Sequence, residues 1–298
     1  MKSGFVVVVG RPNVGKSTLV NTMVGSKVAI TSPRPQTTRN AIRGVVTDSA
    51  GPEPGYQIVL VDTPGLHKPK TELGTRLNSV VYGTLADADV VLFLIDATMP
   101  IGPGDRLIAE RLVESAADVV VGVNKIDKAS RQATMVQLIE AADWPFQDIY
   151  PLSAINGDGV AELVEELVGR LPEGPRYYPE GMTTDQPESL VIAEIVREKF
   201  LGRLRDELPH SLTVRIEEMD QRENGLIDIK ADVVVERKSQ KGIVIGKGGS
   251  LLQKAGTEAR EELETILGSK VNLMLHVIVE KDWQRRPQLL DRLGFDKT

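Results

Sequence analysis

The sequence predicts a doubly wound, mostly parallel α/β domain followed by a smaller α+β domain. Three observations carry this. Nearly continuous Val/Ile/Leu runs alternate with helical patterns through residue 172. Residues 172–188 (PEGPRYYPEGMTTDQPE) hold four prolines and two glycines, the composition of a linker. Beyond it the apolar period becomes strict alternation and then returns to helical spacing. The expected units are residues 1–172, a linker at 173–188, and 189–298. A chain of 298 residues fits two domains, each long enough to close a core.

In order, the predicted strands of the first unit are Phe5–Val9, Ile42–Thr47, Tyr56–Asp62, Asp89–Ile95, Asp118–Val123 and Ile149–Leu152. Their apolar continuity is that of strands covered on both faces. Helical patterns fall between them at Lys16–Val24, Leu73–Ala86, Asp105–Glu114, Arg131–Ala141 and Gly159–Leu171. Residues 25–41 carry no period, and long aperiodic loops in compact domains are often functional. In the second unit Leu190–Leu204 reads as helix. Leu212, Val214 and Ile216 alternate with polar residues, as do Ile227 to Val235, which predicts an antiparallel pair. Leu251, Ala255, Ala259, Leu263 and Leu267 share one helix face, and Val271–Val279 is a last strand.

Composition removes several function classes. With no cysteine there is no disulfide scaffold, thiolate zinc site or thiol catalysis, and a reducing compartment fits. Three histidines far apart argue against a His-rich metal site. No apolar run approaches the ~20 residues of a membrane span, and Phe5–Val9 is too short for a secretory signal. The chain therefore reads as cytoplasmic. A net charge of −6 excludes a uniformly basic nucleic-acid coat but not a local basic patch.

Gly10-Arg11-Pro12-Asn13-Val14-Gly15-Lys16-Ser17 fits GxxxxGK[ST] between a buried strand and a helix. Successive backbone N–H groups there turn inward around phosphate oxygens. Lys16 places a charge near the β- and γ-phosphates, and Ser17 offers a hydroxyl to Mg²⁺. Asp62-Thr63-Pro64-Gly65 closes the third strand, 46 residues after Lys16. Asp62 is placed to hold Mg²⁺ through water, and the Gly65 N–H to meet the γ-phosphate. Asn124-Lys125-Ile126-Asp127 fits NKxD after the fifth strand. One carboxylate, Asp127, can accept from both N1 and N2 of guanine; adenine lacks the N1 proton and would leave it unpaired. Asn124 is assigned to the base's other edge and nearby loops. Lys125 covers the ring with its stem, and Ser153-Ala154 offers a backbone N–H to guanine O6.

In this order the four motifs resemble the translation-factor class of GTPases. Thr31-Ser32-Pro33-Arg34-Pro35-Gln36-Thr37-Thr38-Arg39 closely resembles the switch I loop of the Era GTPases, and the likeness extends over Glu194–Ser211 and the C-terminal glycine cluster. The resemblance implies a GTP-binding set of Asn13, Val14, Gly15, Lys16, Ser17, Thr18, Asp62, Gly65, Asn124, Lys125, Asp127, Ser153 and Ala154. It assigns hydrolysis to Lys16, Thr38, Asp62 and Gly65, and Mg²⁺ to Ser17, Thr38 and Asp62, with Thr37 as the alternative to Thr38. Asn13 corresponds to an asparagine that ligates K⁺ in related GTPases. Residue 66 is Leu, which cannot orient water as a glutamine does, so slow intrinsic hydrolysis is expected. Loss of the γ-phosphate is expected to release switch I and residues 66–75.

Val244-Ile245-Gly246-Lys247-Gly248-Gly249 contains GxxG between two helical segments. With the α-β-β-α-α-β order this resembles a type II KH domain, whose loop grips the RNA backbone. The resemblance reads Lys241–Ile245 as helix despite its β-branched residues. Lys241, Ile245, Gly246, Lys247, Gly248, Gly249 and Lys254 are the candidate RNA contacts. Arg237, Lys238, Lys241, Lys247 and Lys254 fall within eighteen residues that contain no acid. Trp283 is assigned to packing rather than base stacking. The Era resemblance implies the 3′ end of 16S ribosomal RNA and the 30S subunit as partners of a monomer. Peripheral contact with the inner face of the membrane is left open. Two other readings compete: a GTPase serving RNA modification, and an RNA-binding module with a merely structural G domain. The first needs a catalytic cysteine or a cofactor domain that the sequence lacks. Intact Lys16, Asp62 and Asp127 argue against the second.

Overall fold

The computed structural model describes residues 1–34, 37–48, 55–66 and 69–295. Pro35 and Gln36 of the switch I segment, and His67, lie outside them. The first unit contains β1 (Lys2–Gly10), α1 (Lys16–Val24), β2 (Ile42–Asp48), β3 (Tyr56–Asp62), α2 (Glu72–Ala86), β4 (Val90–Asp96), α3 (Pro103–Glu114), β5 (Val119–Asn124), α4 (Arg131–Ala142), β6 (Asp148–Leu152) and α5 (Val160–Arg170). The strands form one sheet in the order β2-β3-β1-β4-β5-β6, and only β2 runs antiparallel to its neighbour. Every residue of β4 and β5 is buried, as their apolar runs require. Leu19 and Val20 of α1 and Leu163 and Leu167 of α5 cover one face. Val81 of α2, Ile108 and Leu112 of α3 and Ala141 of α4 cover the other. From β1 the chain moves first to the β3 side and later to the β4 side. The carboxyl end of β1 is thus the switch point where such sheets bind ligands.

The second unit contains α6 (Glu188–Leu201), α7 (Leu208–Ser211), β7 (Thr213–Gln221), β8 (Ile227–Val235), α8 (Lys238–Ile245), α9 (Ser250–Leu267), β9 (Val271–Val279) and α10 (Pro287–Arg292). β7 and β8 are antiparallel, β9 joins β8 in parallel, and α6 and α9 pack on the sheet. Three details differ from the sequence expectation. The helix expected to reach Leu204 stops at Leu201, and Gly202 caps it. Gly159 caps α5 with φ +73° instead of opening the helix. α7 and α10 have no counterpart among the expected elements: both are short, and Leu290 of α10 is buried in a cluster that joins Leu73 and Leu77 of α2 to Val234 of β8.

The two units meet over the switch I segment. Arg39, 2% exposed, donates from Nη1 to the Leu212 carbonyl at 2.9 Å and from Nη2 to that of His210 at 2.7 Å. Its guanidinium carbon stands 5.7 Å from the Trp283 ring centroid. Arg34 donates to the Leu204 carbonyl at 2.8 Å, and Arg197 of α6 donates to the Thr37 carbonyl. The Thr31 N–H donates to Glu198 at 2.9 Å, and Lys27 bridges Glu198 and Glu262 at 2.5 Å each. The joining segment lies along β2: the Val45 N–H donates to the Thr183 carbonyl at 2.8 Å, and Gly44 bridges to Thr184.

Candidate functional site

The carboxyl ends of β1, β3, β4, β5 and β6 line one rim of the sheet, and every motif of the first unit opens there. The GxxxxGK[ST] loop turns through Gly15 at φ +104°, where a Cβ would fall 2.2 Å from Asn124 Nδ2. Only glycine fits that turn. Around it lies a cleft of about 550 Å³ lined by Asn13, Gly15, Lys16, Thr18, Thr38, Gly65 and Lys125, among others. Val14 is buried beneath the loop in the apolar core.

Lys16 Nζ donates to the carbonyls of Gly10 at 3.2 Å and Arg11 at 3.1 Å. Burial pushes its ammonium down to about 8, against the opposing pull of the Asp62 carboxylate. A phosphate anion at Lys16 would raise that value again. Triphosphate affinity should therefore be full below pH 8 and decline as pH rises through 8, with proton uptake on binding. Calorimetry at pH 8.5 in two buffers of different ionisation enthalpy should register uptake of roughly half a proton or more; no uptake would contradict this environment for Lys16.

Ser17 Oγ donates to Asp62 Oδ2 at 2.6 Å, Thr38 Oγ1 lies 2.9 Å from Ser17 Oγ, and Thr38 Oγ1 donates to Asp62 Oδ2 at 3.1 Å. Asp62 Oδ1 is buried with no hydrogen-bond partner among the described residues. Burial pushes the Asp62 carboxyl up, with Lys16, Ser17 and Thr38 opposing. Two hydroxyls and a carboxylate with an unpartnered buried oxygen are the hard donor set that suits Mg²⁺. Thr37 Oγ1 instead donates to the Arg34 carbonyl at 2.7 Å, so Thr38 is the switch I threonine that faces this donor set. Gly65 passes so close to the loop that a Cβ would come within 2.8 Å of the Pro12 nitrogen. Leu66 packs on the apolar core and presents no polar atom to the cleft.

At the far end, Asn124 is 1% exposed and staples three segments. Its Nδ2 donates to the Val14 carbonyl at 2.8 Å, and its Oδ1 accepts from the N–H groups of Lys125 at 2.8 Å and Ala154 at 2.9 Å. Of the two backbone N–H groups that the Ser153-Ala154 pair offers for guanine O6, that of Ala154 is thus engaged by Asn124, and that of Ser153 donates to the Asp158 carbonyl at 2.9 Å. Ser153 Oγ donates to Asp127 Oδ1 at 2.7 Å and orients that carboxylate. Lys125 Nζ donates to the Asn13 carbonyl at 2.6 Å and to Asp96 Oδ2 at 2.6 Å. Asn13 Nδ2 reaches across to the Pro33 carbonyl of switch I at 2.8 Å. Asp96 belongs to none of the sequence motifs. It also accepts from the Thr98 N–H at 2.9 Å and hydroxyl at 2.6 Å, so Thr98 and Lys125 together fix it. Its one sequence signal is an acid at a parallel strand's carboxyl end, the position that Asp62 also occupies.

In the second unit the glycine cluster joins α8 to α9, and Gly246, Gly248 and Gly249 all have positive φ. Lys241, Lys247 and Lys254 are exposed around it, while Ile245 packs on the core. Ile243, 55% exposed beside them, is an apolar surface that no sequence pattern marks. Trp283 is fully buried and donates to the Ser211 carbonyl at 2.9 Å, which makes it a packing residue.

A family model described as "50S ribosome-binding GTPase" matches residues 5–125, and one described as "KH domain" matches residues 207–284. The chain is 52% identical over 300 residues to the GTPase Era of Mycobacterium tuberculosis strain H37Rv, covering 98% of each chain. The same identity, over 99% of each chain, is found with GTPase Era of Mycobacterium sp. strain KMS. The chain belongs to the Era family of GTPases. Two solved Era structures superpose with a TM-score of 0.94 at 40% identity. One is a point variant of Aquifex aeolicus Era bound to GDP·AlF4⁻, matching 99% of this chain and 100% of its own. The other, matching 99% of each, is Era with MgGDPNP and nucleotides 1506–1542 of 16S ribosomal RNA. This Era GTPase thus has a P-loop GTPase domain and a KH domain. Among its described residues no helix is long and apolar enough to cross a membrane.

Proposed function

We propose that this chain is a GTP-hydrolysing switch that grips the 3′ end of 16S ribosomal RNA and assists assembly of the 30S subunit in the cytoplasm. Residues 1–172 serve as the GTPase unit, 173–188 join the units, and 189–298 bind RNA. The observation that carries this is the convergence of Lys16, Ser17, Thr38, Asp62 and the Asn124–Asp127 loop on one cleft, with switch I held by the KH unit. The P-loop amides and Lys16 cradle the β- and γ-phosphates, and Asp127 selects guanine. Mg²⁺, held by Ser17, Thr38 and Asp62, supplies positive charge to the phosphates. The Gly65 N–H meets the γ-phosphate. With Leu66 unable to orient water, turnover is slow unless assisted. The Asn13 amide and the Pro33 carbonyl face each other across the cleft, and rotating the amide presents its Oδ1 to a K⁺ ion there. Loss of the γ-phosphate removes what holds Thr38, and with it the anchorage of Arg34 and Arg39 in the KH unit.

GTP turnover measured in K⁺ and in Na⁺, with and without small-subunit RNA, tests this reading. K⁺ is expected to accelerate and RNA to change the rate; equal rates under all four conditions would remove both couplings. Lys16→Ala should bind no triphosphate.

Lys247→Asp with Gly248→Asp should weaken RNA binding and leave RNA-free turnover intact. A Cβ at Gly248 meets nothing within 4 Å, and its φ of +61° is one that Asp tolerates, so the fold should survive. With four or five phosphate contacts in the groove, log K should fall with log salt at a slope of about −3. A salt-independent affinity would contradict the groove assignment.

A further inference from the structure

At the base end of the cleft one lysine is held from two sides. Lys125 follows β5 in the left-handed region at φ +71°, and Asn13, which it meets on the phosphate loop, stands there too at φ +66°. Asparagine tolerates that region, whereas lysine rarely adopts it. Lys125 Nζ donates to the Asn13 carbonyl and to Asp96 Oδ2, at 2.6 Å each. A free lysine stem is flexible and loses entropy when it is ordered. Here it is strung between the phosphate loop and the end of β4.

The fold places Asp96 to make that hold. Asp96 is 9% exposed and ends the β4–β5 ladder opposite Asn124, where the Ala97 N–H donates to the Asn124 carbonyl at 2.8 Å. Its Oδ1 is taken by the Thr98 N–H at 2.9 Å and hydroxyl at 2.6 Å, which turns Oδ2 toward Lys125. Burial opposes its charge, yet the bonds from Lys125 and Thr98 hold the carboxyl below its ordinary value. Asp96 is therefore ionised at neutral pH. None of these bonds goes to Lys16, Ser17, Thr38 or Asp62. The carboxylate thus acts at the base end of the cleft and not on the phosphate and Mg²⁺ end.

We infer that Asp96 is a positioning residue for guanine-nucleotide binding: its Oδ2 fixes the Lys125 ammonium against the phosphate loop, so that the lysine stem forms a preset wall for the guanine ring. This rests on the reading of residues 124–127 as the guanine site. A stem ordered beforehand loses less entropy when the nucleotide arrives, and the nucleotide leaves more slowly. The effect is the same for a diphosphate and a triphosphate, because the clamp lies at the base end.

Asp96→Asn in the full-length protein tests this. Thr98 can donate to the amide oxygen as before, so the turn should survive, and the amide Nδ2 then meets the lysine ammonium donor to donor. With that charge-assisted bond lost, fluorescent GDP and GTP analogues should each dissociate about tenfold faster. The single-turnover rate constant of bound GTP should stay within about twofold. Thr98→Ala, which releases Oδ1, should give a smaller loss in the same direction. Lys125→Met keeps an unbranched stem and removes the ammonium. In that background Asp96→Asn should change dissociation by less than about twofold, because there is nothing left to release. Similar factors in both backgrounds would make Asp96 a residue of the fold alone and overturn the inference. So would unchanged dissociation in Asp96→Asn, or a loss confined to GTP. If Asp96→Asn does not fold, Thr98→Ala in the two backgrounds reads the same cycle. If the unaltered protein binds GTP and ATP equally, it is the guanine-site reading that fails.

Discussion

Asp127→Asn is expected to lower GTP affinity by about four orders of magnitude and to confer binding of xanthosine triphosphate. The size follows from what the carboxylate does. It accepts from guanine N1–H and N2–H at once, and a site built around a polar edge discriminates by about 10⁴–10⁵ against a ligand that cannot match it. An amide in its place has one acceptor and one donor. Xanthine keeps the N1 proton and carries an oxygen at C2, so its edge matches Asn. Ser153 Oγ, which donates to Asp127 Oδ1 at 2.7 Å, can donate equally to an amide oxygen, so the loop should keep its shape. Titration of GTP, ATP and XTP against both proteins checks this. Retention of tight GTP binding by the variant would remove Asp127 from the base site. Equal affinity of the unaltered protein for GTP and ATP would remove the base selector altogether.

Arg39→Ala should cost about 3 kcal/mol of stability in urea unfolding. Its guanidinium is buried, bonded to three main-chain carbonyls of residues 209–212 and seated on Trp283. Removing it leaves those carbonyls unpaired and a cavity beside the indole, and each hydrogen bond to a charged group is worth about 1.5–3 kcal/mol. The functional effect should be larger on coupling than on binding. GTP affinity should change little, because Arg39 does not face the cleft. Turnover should fall and lose its response to RNA, because Thr38 loses the neighbour that anchors it to the KH unit. Unchanged RNA dependence in a folded Arg39→Ala protein would place the coupling elsewhere, with the α2–α10 contact the next candidate.

Much of the site could be read from the chain because a parallel sheet delivers its carboxyl strand ends to one rim. Four short motifs, each at a strand end and in the right order, needed no knowledge of distance to be placed together. The buried strands were legible for a related reason: β4 and β5 are covered on both faces, so their apolar runs have no alternation to confuse. α8 was the exception within the second unit. Its Ile243, Val244 and Ile245 favour a strand, but Gln240 accepts from the N–H groups of Glu236 and Arg237 and starts a helix there. What stayed hidden was whatever depends on contacts made far along the chain. Arg39 meets residues about 170 positions away, and no local period marks an arginine whose partners are carbonyls of another unit. Asp96 and Leu290 were obscure for the same reason, each being defined by a partner on a different element. The full engagement of the Ala154 N–H could not be foreseen, since it depends on how the loop after β6 folds back.

The joining segment alters how the two halves can be handled apart. A fragment ended at residue 172 would strip the outer margin of β2, where Thr183, Thr184 and Gln186 now meet Val45, Arg43 and Ala41. Bare strand margins recruit other strands, so that fragment should self-associate and precipitate, whereas one ended after Gln186 should stay monodisperse.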